Sequence, residues 1–223
     1  MRLFINDVPT IFVDSFKGDK STIYNSIDKA IEKGERSPVF EVKSSSELVK
    51  LVSQLHHSYN LNVHQVTIVY VKIGEIKLKK ILKKQFRLVK AGGGIVVKGN
   101  QFLMIYRLGK WDLPKGKLEE GENFRLGAYR EVQEECNVGI EVGKKITDTF
   151  HTFTSKKGNA ILKQTRWYEM NLLSDANMSP QREEGIERIR WVKKNEISKV
   201  LQKSYRSIEY LLDQFFTSVT HKE

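Results

Sequence analysis

The chain has 223 residues, of which 39% are hydrophobic and 29% are charged, with 38 Lys and Arg against 27 Asp and Glu and a net charge of +11. This composition excludes a fibrous or low-complexity chain and leaves room for one large or two small domains. No apolar run approaches the roughly 18 residues that span a bilayer. An aspartate at position 7 comes too early for a signal-peptide core, and the only cysteine cannot form an internal disulfide, so we expect a cytoplasmic protein without a membrane span.

The first part of the chain, residues 1–85, is predicted to form a small α/β domain whose role the sequence leaves open. Short apolar runs at residues 3–5 and 11–13 predict a hairpin or two short strands. Ser21 or Thr22 is predicted to cap a helix whose apolar face begins at Ile23. A strand at residues 39–42, a helix from Ser45 or Ser46 and a buried strand at residues 66–71 follow.

Residues 72–90, which we call the basic segment, hold eight basic residues and one acidic residue. Apolar residues alternate with lysines over residues 75–88 in a helical pattern, which predicts a linker helix. The lysines have two interpretations: a solvated helix face, or a contact surface for a polyanion or for acidic lipid head groups. The two interpretations are compatible. The overall basic charge favours anionic partners in the same way but does not choose among them.

Glycine usage predicts a second domain at residues 86–223, because only three of the 15 glycines precede residue 90. Strands are predicted at residues 94–97 and 102–106, followed by a loop and a helix rich in glutamate. Further strands are predicted near residues 147–154, 162–172 and 189–192, and an amphipathic helix at residues 195–219 with a break near Ser204. The order of these elements predicts an α/β fold with a mixed sheet flanked by helices.

The glutamate helix is the most informative part of the chain. Glu131, Glu134 and Glu135 lie at relative positions zero, three and four, so their side chains fall within an arc of about 100° on one helix face. Like charges at these spacings destabilise a helix. Clustered carboxylates are ligands that Mg²⁺ or Mn²⁺ prefers, although three solvated glutamates on an outer face are an alternative on these residues alone.

Around these glutamates the chain has Gly116, Glu122, Arg130-Glu131, Val132, Glu134-Glu135 and Cys136-Asn137-Val138 at characteristic spacings. This pattern resembles the signature box of the Nudix hydrolases, and residues 116–138 are called the box below. Asn137 stands where the family has a glycine that ends the helix in a left-handed conformation, which asparagine tolerates next best. The resemblance implies a Nudix-type α/β/α sandwich and metal-dependent hydrolysis of a small-molecule phosphoanhydride.

The resemblance also implies roles for individual residues. Glu134, Glu135 and the carbonyl of Gly116 would bind Mg²⁺ or Mn²⁺, and Glu131 would be a further ligand or the general base. Glu122 and Arg130 would tie the loop to the helix and orient the carboxylates. Family members often take one more acidic ligand from a loop outside the box, for which Glu184 is the candidate here, with a solvated charged loop as the alternative.

Three residues before and within the box are candidates for substrate binding. Lys115 and Lys117 flank Gly116, where cations favour polyphosphate binding. The sequence around them, Pro114-Lys115-Gly116-Lys117, is similar to that of Nudix enzymes acting on dinucleoside polyphosphates, diphosphoinositol polyphosphates or capped RNA. Trp111 could stack on a nucleobase, although aromatic residues beside strands more often belong to a core.

The leading hypothesis is a metal-dependent hydrolase cleaving a phosphoanhydride in a nucleoside diphosphate linked to another moiety. A Nudix-like nucleotide sensor that does not cleave its ligand is an alternative, but a binder has no physical need for three crowded carboxylates. An enzyme acting on the 5′ end of RNA through the basic segment is a third reading, so nucleic acid is an alternative partner that is not favoured. Substrate identity and oligomeric state stay open.

Overall fold

A computed structural model describes residues 1–15, 17, 23–57, 66–71 and 74–220. The chain divides into two compact units. Unit 1 comprises residues 1–88 and 150–163, and unit 2 comprises residues 89–149 and 164–223. The division into domains at residue 85 stays a prediction, and the structure adds to the N-terminal unit a later segment that sequence patterns did not indicate.

Unit 1 is built on a sheet with both parallel and antiparallel neighbours. Its strands are β1 (Arg2–Ile5), β2 (Val8–Val13), β3 (Ile23–Tyr24), β4 (Val39–Val42) and β5 (Thr67–Val71). The order β1-β2-β5-β4-β3 places the antiparallel β1–β2 hairpin beside three parallel strands. The outer side of β1 pairs in parallel with residues 151 and 152, which explains why residues 150–163 belong to this unit.

Three helices of unit 1 follow strands of its sheet: α1 (Ile27–Glu32), α2 (Ser45–His57) and α3 (Glu75–Gln85). Leu48, Val52 and Leu55 on α2 are almost fully buried in one apolar core with side chains of the sheet. Asn6 closes α2 by donating from its side-chain amide to the carbonyl of His56 at 2.7 Å. His56 itself is buried between the hydroxyls of Thr152 and Thr154.

Most of the predicted elements of unit 1 are confirmed, with two corrections. The hairpin, the strand at residues 39–42, the helix from Ser45, the strand ending at Val71 and the helix from residue 75 are all present. The last of these was predicted to extend to residue 88 but ends at Gln85, and residues 87 and 88 lie in a strand. The first helix was predicted to include Ile23, but Ile23 lies in β3 and Ser26 caps α1 by accepting from the amide of Lys29. β-Branched Ile23 is better suited to a parallel strand than to a first helical turn. The predicted caps Ser21 and Thr22 lie outside the described residues.

Unit 2 has a sheet whose strands are hydrogen-bonded in the order β12-β7-β6-β11-β10. The strands are β6 (Arg87–Lys98), β7 (Gln101–Arg107), β8 (Lys110–Asp112), β9 (Lys115–Lys117), β10 (Gly139–Thr154), β11 (Ala160–Ser174) and β12 (Ile186–Lys193). The short strands β8 and β9 pair with β7 and β6, respectively. This arrangement brings the start of the box, at Gly116, against the centre of the sheet.

Helices cover both faces of the unit 2 sheet. On one face, α4 (Phe124–Cys136) buries Ala128, Val132 and Cys136 against alternate residues of β6 and β7. On the other face, α5 (Ile197–Leu201) and α6 (Arg206–Thr220) pack on Phe102 and Met104. The predicted α/β class is confirmed, as is the break of the C-terminal helix near Ser204. None of the helices in the described part of the chain is long and apolar enough to cross a membrane.

Candidate functional site

Two glycines on neighbouring strands let α4 approach the sheet closely. Gly92 on β6 pairs with Gly116 on β9. A Cβ atom at Gly92 would lie 2.5 Å from the amide nitrogen of Ala128. A Cβ atom at Gly116 would overlap the carboxylate of Glu131. Real Cβ atoms do not approach other atoms so closely. Gly92 faces the backbone of α4 and therefore requires glycine, whereas a side chain at Gly116 would displace the end of the Glu131 side chain, which lies directly against the backbone there.

The ends of α4 are defined by two asparagines. Asn123 is the N-cap and accepts hydrogen bonds from the amides of Arg125 and Leu126, both at 3.0 Å. Asn137 ends the helix in the left-handed conformation, with φ 51° and ψ 50°. The predicted conformation of Asn137 is therefore confirmed. The side chain of Asn137, which a glycine would lack, makes two hydrogen bonds that are described below.

Arg130 is surrounded by carboxylates. Its Nε and Nη2 atoms donate to the two oxygens of Glu122 at 3.0 and 2.9 Å. Its Nη1 atom donates both to Glu131, at 2.9 Å, and to Glu134, at 2.8 Å. Nη2 also donates to the carbonyl of Lys117 at 2.9 Å. These hydrogen bonds, the one to Glu122 foremost, raise the pKa of Arg130, and the same contact lowers the pKa of Glu122.

Glu135 has a different environment from the other two glutamates of the face. Its side chain is 2% exposed, against 14% for Glu131 and 46% for Glu134. One oxygen accepts from the amide of Lys115 at 2.8 Å, and the other lies 3.4 Å from Nη1 of Arg107. Burial raises the pKa of Glu135 to about 7 despite these positive neighbours. Burial also raises the pKa of Cys136, the neighbouring buried cysteine.

The carboxylates fit a hard divalent cation in their chemistry. Glu131 and Glu134 already converge on one cationic nitrogen of Arg130, and Glu131 lies against Gly116. Hard oxygen donors of this kind suit Mg²⁺ and Mn²⁺. In the described part of the chain, however, no three His, Cys, Asp or Glu side chains are gathered closely enough to hold a metal ion together. Two features explain this. Arg130 donates hydrogen bonds to both Glu131 and Glu134 and so lies between them, and the side chain of Glu135 is buried.

Glu184 lies on a loop that is attached to the end of α4. The amides of Ser179 and Gln181 donate to the carbonyls of Cys136 and Glu135 at 3.1 and 3.2 Å. Asn137 donates from its side chain to the carbonyl of Asn177 at 2.8 Å and to the hydroxyl of Ser179 at 3.2 Å. A short 3-10 helix, Arg182–Glu184, follows immediately. The Glu184 side chain is exposed, and among the described residues it belongs to no group of three or more side chains that could hold a metal ion.

The two lysines of the predicted substrate site differ in their surroundings. The ammonium group of Lys115 forms an ion pair with Asp112, and both side chains are largely buried. Lys115 therefore contributes its backbone amide, rather than a free ammonium group, to the glutamate site. Lys117 is exposed, and its carbonyl accepts from Arg130. Only Lys117 has a side chain that faces solvent next to Gly116, and phosphate binding by either lysine stays a prediction.

Trp111 is half-buried at the edge of the core beneath α5 and α6. Its ring lies edge-on to that of Tyr106, with centroids 5.1 Å apart. The guanidinium of Arg188 stacks over Tyr106 at 4.1 Å. The backbone of Trp111 is tied to the segment between the C-terminal helices, because its amide donates to Lys203 at 2.7 Å. Nucleobase stacking on Trp111 stays a prediction.

Two residues that contact the site were not identified from the sequence. Arg107, at the end of β7, contacts Glu135, and Asp112, on β8, holds Lys115. Both belong to strands whose pairing with the rest of the sheet brings distant parts of the chain together. Asp112 carried a local signal, since it lies three residues before Lys115 in the segment leading into Gly116. Arg107 carried none.

A family model described as the NUDIX domain matches residues 89–214. Similar solved structures include a NUDIX hydrolase from Nitrosomonas europaea, with 18% identity over 59% of this chain and 90% of that one and a TM-score of 0.48. A MutT protein from Methanosarcina mazei Go1 shares 18% identity over 60% and 96% of the two chains, with a TM-score of 0.49. A C. elegans Ap4A hydrolase shares 20% identity over 60% and 98%, with a TM-score of 0.46.

Proposed function

The chain belongs to the Nudix family and is a Nudix-type pyrophosphohydrolase, and we propose that it uses Mg²⁺ or Mn²⁺ to cleave a phosphoanhydride bond in a nucleoside diphosphate linked to another moiety. Dinucleoside polyphosphates, nucleoside triphosphates and nucleotide sugars all contain such a bond. The matched region holds every residue of the box.

One observation carries the proposal: Glu131 and Glu134 both accept hydrogen bonds from the same nitrogen of Arg130. Two carboxylates directed at one cationic atom repel each other unless positive charge lies between them. Glu131 is held against Gly116 at the same time. A hydrolase of polyphosphates needs concentrated negative charge of this kind to bind divalent cations, which in turn attract phosphate oxygens.

The residues divide into those that would hold the metal and those that position them. Nudix hydrolases generally use a divalent metal, and we assign its binding to Glu131, Glu134, Glu135 and the backbone at Gly116, with Glu184 as the candidate from outside the helix. A bound divalent ion polarises phosphoryl oxygens and lowers the pKa of water. Arg130 and Glu122 position the carboxylates, because Arg130 donates hydrogen bonds to Glu122, Glu131 and Glu134.

Of the three remaining residues of the site, two are assigned to substrate binding and one supports the loop before the box. Lys117 is exposed next to Gly116 and is assigned to a substrate phosphate. Lys115 holds Asp112 and donates its amide to Glu135, so it supports the loop that leads into the box. Trp111 is assigned to the nucleoside, because its aromatic ring is only partly buried.

The proposal is tested with a panel of nucleotides incubated with Mg²⁺ or Mn²⁺, in which products are identified by mass. ADP-ribose, dinucleoside polyphosphates and nucleoside triphosphates give different products, so one assay separates the substrate classes. We expect Glu134→Gln and Glu135→Gln each to abolish turnover while circular dichroism stays unchanged. Retained metal-dependent turnover in both variants would contradict the assignment.

The same panel separates the hydrolase from a nucleotide sensor. A sensor binds a nucleotide in a calorimeter but releases no product with either metal. A triphosphorylated RNA of about 20 nucleotides, long enough to occupy one single-strand binding site, is included as a further substrate. Cleavage of this RNA alone, with none of the small nucleotides cleaved, would replace the small-molecule proposal with an RNA 5′-end activity.

A further inference from the structure

The basic charge of the chain is concentrated in one of its two units. Unit 1 holds 18 of the Lys and Arg residues and 9 of the Asp and Glu residues, a net charge of +9. Unit 2 holds 20 and 18, respectively, which leaves +2. The proposed hydrolase site lies entirely in unit 2, so the chemistry of that site does not account for the positive charge of unit 1.

The outward face of α3 is the densest part of this charge. Lys77, Lys80, Lys83 and Lys84 are all exposed. At about 100° per residue, these four lysines fall within an arc of roughly 120°. Over the described part of the chain, no Asp or Glu forms an ion pair with any of them, whereas Lys79 pairs with Glu75 at 2.5 Å. The four lysines form a face that we call the lysine face of α3.

The helix itself gains little from this arrangement. Like charges three or four residues apart destabilise a helix, and the lysine face contains three such pairs: Lys77–Lys80, Lys80–Lys83 and Lys80–Lys84. Lys83 and Lys84 lie in the last turn, where cations interact favourably with the helix dipole. Lys77 lies in the first turn, where the dipole disfavours a cation. Helix stability therefore explains two of the four lysines at most.

The opposite side of α3 is fully used in packing. Leu78 and Leu82 are 2% and 0% exposed in the core of unit 1. Gln85 donates from its side chain to the carbonyl of Val49 on α2 at 2.8 Å. Ile76, which is 88% exposed, is the one large apolar side chain of α3 that projects outward. Fixed packing on one side keeps the lysine face turned toward solvent.

These contacts favour a nucleic acid over a membrane as the partner. A helix that lies in a membrane interface needs a broad apolar face to enter the acyl region. The apolar face of α3 is buried in protein, which leaves Ile76 alone for that purpose. A phosphodiester backbone, in contrast, needs only a row of cations that release its counterions. We propose that the lysine face of α3 binds the phosphate backbone of a nucleic acid.

The proposal predicts a specific salt dependence. Four phosphate contacts to a single strand give a slope of about −2.8 in a plot of log K against log salt concentration. Raising KCl from about 50 to about 200 mM then weakens binding about 50-fold. Fluorescence anisotropy with a labelled, unstructured RNA of about 20 nucleotides and the matching DNA measures this slope for the full chain.

A charge-matched pair of variants tests the location. The first replaces the four lysines of the lysine face by glutamine, and the second replaces four exposed lysines of unit 2: Lys193, Lys194, Lys199 and Lys203. Both remove four positive charges. We expect the first variant to lose most of the binding and the steep slope, the second to retain them, and both to keep the basal hydrolysis of a small nucleotide. Equal binding by wild type and the first variant overturns the proposal.

A second pair of measurements distinguishes nucleic-acid binding from binding to an acidic membrane surface. Ile76→Ser changes no charge, so RNA binding and its salt slope should stay as in the wild type. Sedimentation with vesicles of phosphatidylcholine and phosphatidylserine gives the other arm. One result overturns the nucleic-acid proposal and identifies an acidic lipid surface instead. In that result the wild type binds these vesicles but not the oligonucleotides, and Ile76→Ser abolishes the vesicle binding.

Discussion

Arg130 and Glu122, eight residues apart, form a two-pronged ion pair, with Nε and Nη2 of the arginine 3.0 and 2.9 Å from the two carboxylate oxygens. The pair connects the loop after β9 to the middle of α4. Because the third nitrogen of the same guanidinium contacts Glu131 and Glu134, this one side chain sets the positions of both carboxylates. A planar group with several fixed donors can do this, and a single ammonium group cannot.

We therefore expect Arg130→Lys to lower metal affinity or turnover by about 10–100-fold, the usual effect of removing a group that orients metal ligands. The unfolding transition should move little, since lysine keeps the charge. Calorimetric titration with Mn²⁺ and steady-state kinetics measure the two effects. Glu119→Gln is the control, because Glu119 is mostly exposed and lies 4.0 Å from Arg130. An Arg130→Lys variant with wild-type metal affinity and kcat would contradict this role.

Gly116→Ala tests the close contact between β9 and α4. The added methyl group would overlap the Glu131 carboxylate, so that side chain must leave its position. We expect turnover to fall by at least about tenfold if Glu131 has the metal-binding role proposed above, with little loss of unfolding free energy, because the methyl group meets only the movable end of the Glu131 side chain. Gly139→Ala is the matched control, since its new methyl group would meet its nearest neighbour at an ordinary 3.5 Å. Similar activity in the two alanine variants would argue against the contact.

The backbone conformation and the side chain of Asn137 contribute separately to the free energy of unfolding, and two substitutions distinguish them. Asn137→Gly keeps the left-handed helix end but loses the hydrogen bonds to Asn177 and Ser179, which should cost about 1 kcal/mol of unfolding free energy. Asn137→Ala adds a further loss of about 1–2 kcal/mol, because alanine disfavours a positive φ. Chemical denaturation gives the order, and hydrogen exchange at the amides of Ser179 and Gln181 should quicken in both variants. Unchanged exchange in Asn137→Gly would show that the side chain does not hold the loop.

His56 should make the stability of unit 1 depend on pH. Burial, followed by the neighbouring His57, lowers the pKa of His56 below its ordinary value of 6.5. Above pH 6.5 the histidine is neutral in both the folded and unfolded states, so its stabilising contribution is complete. As the pH falls below 6.5 the unfolded state binds a proton first, and stability decreases by at most about 1.4 kcal/mol per pH unit for one proton.

The measurement is the free energy of unfolding between pH 7.5 and about 5.5, a range that brackets the ordinary histidine pKa. We expect His56→Asn to be less stable than the wild type at pH 7.5 but to show a weaker decrease toward low pH. His57→Asn removes the smaller of the two causes of the lowered His56 pKa, so we expect it to keep most of the decrease toward low pH. An identical slope in wild type and His56→Asn would mean that His56 does not titrate differently in the two states.

Local patterns in the sequence predicted the parts of the structure that depend on neighbouring residues. The helix that starts at Ser45 and the strand that ends at Val71 follow from apolar spacing, and the left-handed Asn137 follows from its place after the last helical turn. Ile23 shows the limit of this approach. Its side chain fits a helical spacing, but the pairing of β3 with β4 decides its conformation.

Contacts between distant segments could not be predicted in the same way. Arg107 reaches Glu135 only because β7 lies beside β6 and α4 packs across both. The inward turn of Glu135 depends on the position of the Lys115 amide, which is set by strand pairing. The spacing of the glutamates placed three carboxylates on one face but carried no information about which of them would be buried.

The return of residues 150–163 to unit 1 limits how this protein could have been assembled. Leu162 is buried among the apolar side chains of that unit, and His151 pairs with Phe4. Neither unit is therefore a continuous stretch of the chain. A recombination event with one crossover near residue 88 would separate residues 1–88 from residues 150–163, which complete the core of unit 1. The N-terminal region is therefore not expected to be exchangeable as an independent domain. The two units are expected to have been inherited together.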